Sequence, residues 1–265
     1  MRYGAMNSPL RPVMDEIREI ARLGFDVFEL TMDAPRAHYG LIEREREDIS
    51  RVLKECGLGL VCHLPTFVYT ADLTEGIREA SLRETLESLR VAGDLQALKV
   101  VLHPSIIGGL GTLVMEKSRG YALESLESIV READRRGIVL CLENLMPRSR
   151  ALVEPEDFEA PFRMFPSLKM TLDTGHSHLG QGGIRRTLAF IERFGERIGH
   201  IHMSDNFGRE DDHLPIGAGI IDYPEIVKAI KTTGYDDTLT LEVFSRDRDY
   251  LKISREKLAK LFETL

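Results

Sequence analysis

The feature that most constrains this chain is a rhythm that runs through all 265 residues. Short β-rich runs alternate with longer amphipathic ones. Eight runs read as strands: Arg2–Met6, Phe25–Thr31, Leu60–Leu64, Lys99–His103, Val139–Glu143, Leu168–Asp173, Ile198–Met203 and Thr238–Phe244. Between them apolar residues recur three and four apart, as in Val13, Ile17, Ile20 and Ala21 before Gly24, or Leu123, Leu126, Ile129, Val130 and Ala133 before Gly137. That spacing predicts helices, and the glycines mark where they stop. Parallel strands need crossover connections of about a dozen residues or more, which helices supply. Eight such units, in a chain close to the ~250 residues usual for the architecture, predict an α/β fold: a (β/α)8 TIM barrel forming a single domain over residues 1–265. An open, doubly wound sheet would need a Gly-rich phosphate loop after an early strand, and the first turn, "AMNSPLRP", has none. The connector from Ala151 to Pro166 carries Pro155, Pro161 and Pro166, which predicts only a short or broken helix there.

A barrel gathers its chemistry where the strands end at their C-terminal face, so the strand ends are where ligands should be sought. The third ends in His63 ("VCHLP"), the fourth in His103 ("VLHPS") and the fifth in Glu143 ("CLENL"). The sixth ends in Asp173, with His176 on the loop just beyond ("TLDTGHSHLG"); the seventh carries His202 ("HIHMSDN") and the eighth Glu242 ("TLEVF"). A lone strand-end histidine is ordinarily a hydrogen-bonded structural residue, and a lone glutamate ordinarily pairs with an arginine. Six consecutive strands delivering such groups to one mouth is different, because buried acids and imidazoles crowded together are unfavourable without cations to compensate them. The loop after the seventh strand, "REDDHLPIGAGIIDY", adds Asp211 and His213. Mixed His, Asp and Glu donors suit a divalent metal such as Zn, Mn, Fe or Co, and the lack of thiolates argues against a structural zinc. His200, two residues before His202, shares its strand face but lies deeper, which suits packing or a hydrogen bond to a ligand.

Composition narrows the partners. The 35 basic and 43 acidic side chains leave a net charge of −8, which disfavours a general polyanion binder while leaving local fields at a site open. Three cysteines without CxxC spacing, no apolar leader and no long apolar run predict a cytoplasmic protein with no membrane segment.

These segments resemble the xylose isomerase-like TIM-barrel superfamily, which contains sugar isomerases and epimerases and the endonuclease IV group of abasic-site (AP) endonucleases. The Glu, Asp, His, Glu pattern of its single-metal epimerases falls on Glu143, Asp173, His202 and Glu242. The nine ligands with which endonuclease IV holds three zinc ions fall on those four together with His63, His103, His176, Asp211 and His213. Three segments depart from the nuclease pattern: "LENLMPRSR" follows Glu143, Thr66 stands where the nuclease has a tyrosine, and "HMSDNFG" lacks a lysine.

The resemblance implies an isomerase or epimerase of a small-molecule carbohydrate, holding one to three divalent metal ions. In that reading a metal-stabilised enediolate forms as Glu143 and Glu242 exchange a proton with substrate, and His176 either orients a substrate hydroxyl or takes part in a second metal site. The alternative is an endonuclease IV-like phosphodiesterase, for which DNA would be the partner and which uses all nine ligands. The altered loops, the charge, the absence of Trp and the scarcity of aromatics near the strand ends favour the sugar. Arg148, Arg150, Arg209, Arg246 and Arg248 follow strands at the active face and would meet a phosphorylated sugar. A non-catalytic, metal-stabilised binding barrel is a third class; it requires a closed coordination sphere.

Overall fold

Every predicted strand run forms a strand in the computed structural model, which describes residues 1–265. They are β1 (Arg2–Met6), β2 (Val27–Thr31), β3 (Gly59–His63), β4 (Lys99–Leu102), β5 (Leu140–Glu143), β6 (Lys169–Asp173), β7 (Ile198–Met203) and β8 (Thr238–Leu241). All pair in parallel in chain order, and β8 closes on β1. The result is the predicted (β/α)8 barrel.

Some boundaries differ from the sequence expectation. Phe25 is not in β2, because its N–H still bonds the Ile20 carbonyl of the preceding helix. His103 and Glu242 each lie one residue beyond their strands. After Glu242 the chain bends away, and the Phe244 N–H bonds the His213 carbonyl.

Helices α1 (Val13–Arg22), α2 (Tyr39–Arg44), α3 (Arg46–Cys56), α4 (Glu75–Asp94) and α5 (Met115–Arg136) cover the first half of the barrel. The second half carries α6 (Glu159–Met164), α7 (Thr174–His178), α8 (Gly183–Phe194), α9 (Tyr223–Thr232) and α10 (Asp249–Thr264). Their apolar faces meet the outward side chains of the strands in one core cluster of 50 buried residues, so the main core is the layer between sheet and helices. The barrel interior is separate. Val27, Val61 and Val101 form their own cluster, and period-two alternation puts Glu29, His63 and His103 above them on the same inner surface. At the opposite end, buried Lys99 donates to the Gly199 carbonyl and to Asp237, joining β4, β7 and the entry to β8.

The proline-bearing connector behaves as its sequence predicts. It forms a single turn, Pro155–Phe158, with reciprocal Glu154 and Asp157 caps, and then the six-residue α6. What holds it is Phe158, fully buried, with its ring 5.4 Å from Phe190 and 5.5 Å from Phe162.

Candidate metal centre and active site

Four side chains from the last four strands meet at the mouth. One potential ligand atom from each of Glu143, Asp173, His202 and Glu242 lies within 4.8 Å of all the others, and all four residues are buried. Their focus is Nδ1 of His202, which stands 3.0 Å from Glu242 Oε1, 3.2 Å from Glu143 Oε1 and 3.8 Å from Asp173 Oδ2. Three carboxylates out of water beside one imidazole carry an excess of negative charge. Burial, reinforced by Glu242 and Glu143 against the opposing pull of His176, pushes the Asp173 carboxyl up to about 7.

The local sequence explains the placement. Asn144, next to Glu143, donates through Nδ2 to the Asp173 carbonyl at 2.9 Å and accepts the Asp173 N–H at 2.8 Å, locking the ends of β5 and β6 together. Asp173 caps α7 by accepting the His176 N–H at 2.6 Å. His176 therefore sits on a short helix, where the sequence suggested a loop. Asp205 fixes the loop that follows β7: it accepts the Gly217 N–H at 2.8 Å and the Ile221 N–H at 3.1 Å. Gly219 is required there, since a Cβ would lie 2.3 Å from the Asn206 carbonyl oxygen. The loop so pinned brings Asp211 and His213 back over the mouth.

The remaining sequence-predicted residues gather around the four. A backbone carbonyl can only accept, so it selects the imidazole nitrogen that carries a proton. His63 donates from Nδ1 to the Leu64 carbonyl (2.8 Å), His176 to that of Asn144 (3.0 Å) and His213 to that of Glu242 (3.1 Å). Each then presents Nε2 to a carboxylate oxygen: His63 to Glu143 at 3.3 Å, and His176 and His213 both to Asp211 at 3.1 Å. That pairing is sound only if a proton or a metal cation stands between the two acceptors. Burial opposes charge on His213, but Asp211 and Glu242 override it and hold the ring up at about 8. His103 completes the nine, with ring centroids 6.2 Å from His63 and 6.3 Å from His176. Burial and the His63 and His176 charges, against Glu143, lower it to about 4, and its Nδ1 has no partner. Asp211 Oδ1 is likewise buried and unpartnered. These buried oxygen and nitrogen donors fit divalent metal ions.

Sequence reasoning missed Glu29. It is fully buried on β2, accepts from His202 Nε2 at 3.0 Å and contacts His200 Nε2 at 3.0 Å, while His200 Nδ1 meets Thr238 Oγ1 at 2.7 Å. Burial alone would push its carboxyl up; His202 and His200 reverse that and hold it well below the usual carboxylate range. The signal was there: an acid inside the otherwise apolar "VFEL", in register with inward-facing Val61, two residues before His63 on β3. Glu29 holds the proton on His202 Nε2 and so leaves Nδ1 for the cluster. Glu29→Gln is expected to weaken divalent-metal affinity about 10- to 100-fold, read by competitive titration with a chromophoric chelator; unchanged affinity would contradict that role.

Two further expectations need correction. Arg248 does not face the mouth freely, because it pairs with buried Glu16 of α1. Aromatics are also less scarce at the rim than expected: Phe67, Phe207 and Phe244 are exposed after β3, β7 and β8, and the Phe244 ring lies 4.4 Å from that of His213. Of the three, only Phe244 lay inside an expected strand, which ends at Leu241 and not at Phe244. No helix is long and apolar enough to cross a membrane.

A closed parallel barrel whose C-terminal mouth concentrates metal-competent side chains defines the class. The chain belongs to the xylose isomerase-like TIM barrel family, whose model matches residues 17–263. It is 27% identical to an uncharacterized protein of Methanocaldococcus jannaschii, over 98% of this chain and 92% of that one. It is 23% identical to a probable endonuclease 4 of Aquifex aeolicus, over 96% and 92% of the two chains. Fructoselysine 3-epimerase of Escherichia coli O157:H7 is 21% identical, over 88% and 86%. Among solved structures, a D-tagatose 3-epimerase-like protein superposes with a TM-score of 0.87 at 25% identity, covering 99% of this chain and 97% of that one.

Proposed function

We propose that this barrel is a divalent-metal-dependent isomerase or epimerase of a small carbohydrate. The observation that carries the reading is the Glu143, Asp173, His202 and Glu242 group, because its two glutamates come from β5 and β8 and flank the others. A divalent ion held by this donor set would stabilise the negative charge that develops on substrate oxygen when the proton α to a carbonyl leaves. Glu143 and Glu242 are the proton-transfer pair. Each offers one oxygen towards His202 and keeps a second: Glu143 Oε2 faces His63, and Glu242 Oε2 lies 3.6 Å from His213. One carboxylate removes the proton and the other returns it, while His176, anchored by Asn144, orients a substrate hydroxyl. The 3-epimerase similarities support a ketose as substrate.

The test is proton exchange. Incubation of the metal-loaded protein with ketohexoses in D2O should place deuterium on the carbon next to the carbonyl, detected by NMR. No exchange with any ketose or ketose phosphate would contradict the reading.

A second reading, metal-dependent phosphoester hydrolysis, is favoured by the three Nε2 atoms presented by His63, His176 and His213, which a single-ion epimerase does not need. The two readings differ in metal stoichiometry. One ion per chain, unaffected in His103→Ala, is expected for the first. Two or three ions, with one lost in that variant, together with incision of abasic DNA, would overturn it in favour of the second.

A further inference from the structure

Between the barrel wall and the helices, behind the ligand cluster, lies a cavity of ≈ 300 Å3. Leu102 and Leu142 form its inner wall; alternation turns them outward on β4 and β5 while His103 and Glu143 turn inward. Leu123, Leu126 and Ile129 of α5 close the opposite side, and Ala160 and Pro161 of α6 the third. Its origin is in the sequence. The proline-bearing connector supplies only six residues of helix where its neighbours supply twelve to twenty-two, so the wedge beside β5 is not filled.

We propose that this cavity is a binding site for an uncharged aryl or alkyl group. It is about twice the roughly 150 Å3 apolar cavity that takes up benzene, a size for a bicyclic aromatic ring or a medium alkyl chain. Charged groups would find little to pair with inside. Glu156 is paired with Arg193, Asp157 is spent on the Val153 and Glu154 N–H groups, and Arg119 is exposed. The hydroxyl of Thr85 is satisfied by the Ser81 carbonyl. The loops after β3 and β4, which give Val68 and Ser105 to the lining, also display Phe67, Leu110 and Leu113 to solvent. His103 lines the cavity and is also one of the nine side chains at the mouth, so an occupant lies against the wall of the metal centre.

The occupant is either an apolar substituent carried by the substrate or a separate small molecule, and the same chemistry recognises both. The probe is N-phenyl-1-naphthylamine, an uncharged dye that brightens in apolar surroundings, used with the metal-loaded full chain; the absence of Trp keeps the background low. Saturable binding at one dye per chain is expected. Ala122→Phe on α5 and Ala151→Leu on the opposite side, both lining residues, should each weaken it at least roughly tenfold without lowering the melting temperature. Failure of the dye to saturate, or unchanged binding in whichever of the two variants folds, overturns the proposal. Displacement by a phenyl or octyl glycoside but not by the free sugar assigns the site to the substrate's own substituent; displacement by indole but by neither sugar assigns it to a separate ligand. Both results keep the site, and neither depends on whether the barrel epimerises anything.

Discussion

Glu143→Gln and Glu242→Gln are each expected to lower turnover by about 10³-fold, within the 10²–10⁴ range of positioned acid–base groups, while the protein remains folded. Gln keeps the volume and one carbonyl oxygen of Glu but cannot accept the proton the reaction releases. Both side chains are buried at the mouth, and the oxygen that each keeps out of the His202 contact meets another imidazole, His63 for Glu143 and His213 for Glu242. Neither can be replaced by a water or a neighbour without rebuilding the cluster. Steady-state kinetics on the substrate found by deuterium exchange, with melting temperatures alongside, separates loss of chemistry from loss of fold. Full activity in both variants would rule out these residues as the proton-transfer pair.

Phe158→Ala should cost about 3–5 kcal/mol of stability, the range for emptying a buried phenylalanine site. Phe158 is fully buried and stands at the junction of the connector, α6 and α8, with the rings of Phe162, Phe190 and Phe194 around it. The connector has little else to hold it, since its helix is only six residues long and its prolines remove backbone donors. Urea denaturation followed by circular dichroism gives the difference. A loss under about 1 kcal/mol would mean that the site relaxes to fill the gap.

Much of this architecture was legible because a parallel barrel repeats its physics. Strands buried on both faces read as apolar runs, and the crossover helices read as three-and-four spacing. The mouth was legible for the same reason: an acid or imidazole at the end of an apolar strand, as in "CLEN" or "TLDTGH", is costly enough to stand out. The six side chains picked out on those grounds lie at or around one mouth, together with His176, Asp211 and His213 from the segments that follow β6 and β7. Glu29 was less legible because it sits in mid-strand, not at a strand end, with its carboxylate directed at His202. The engagement of Arg248 by Glu16 was also invisible, since 232 residues separate them in sequence and only barrel closure brings them together. The cavity beside β5 lay beyond the sequence too: the prolines predict a short helix, but the volume left behind depends on how α5 and α8 pack around it.

The central claim is a divalent-metal centre built on Glu143, Asp173, His202 and Glu242. Its most direct test is metal content per chain, by plasma mass spectrometry, on untagged protein purified without added metal, in the wild type and in Asp173→Ala. The account predicts divalent metal bound to the folded wild type and at least one ion fewer in the variant. A folded wild type that neither carries nor takes up divalent metal, or a variant that retains the full complement, would contradict it.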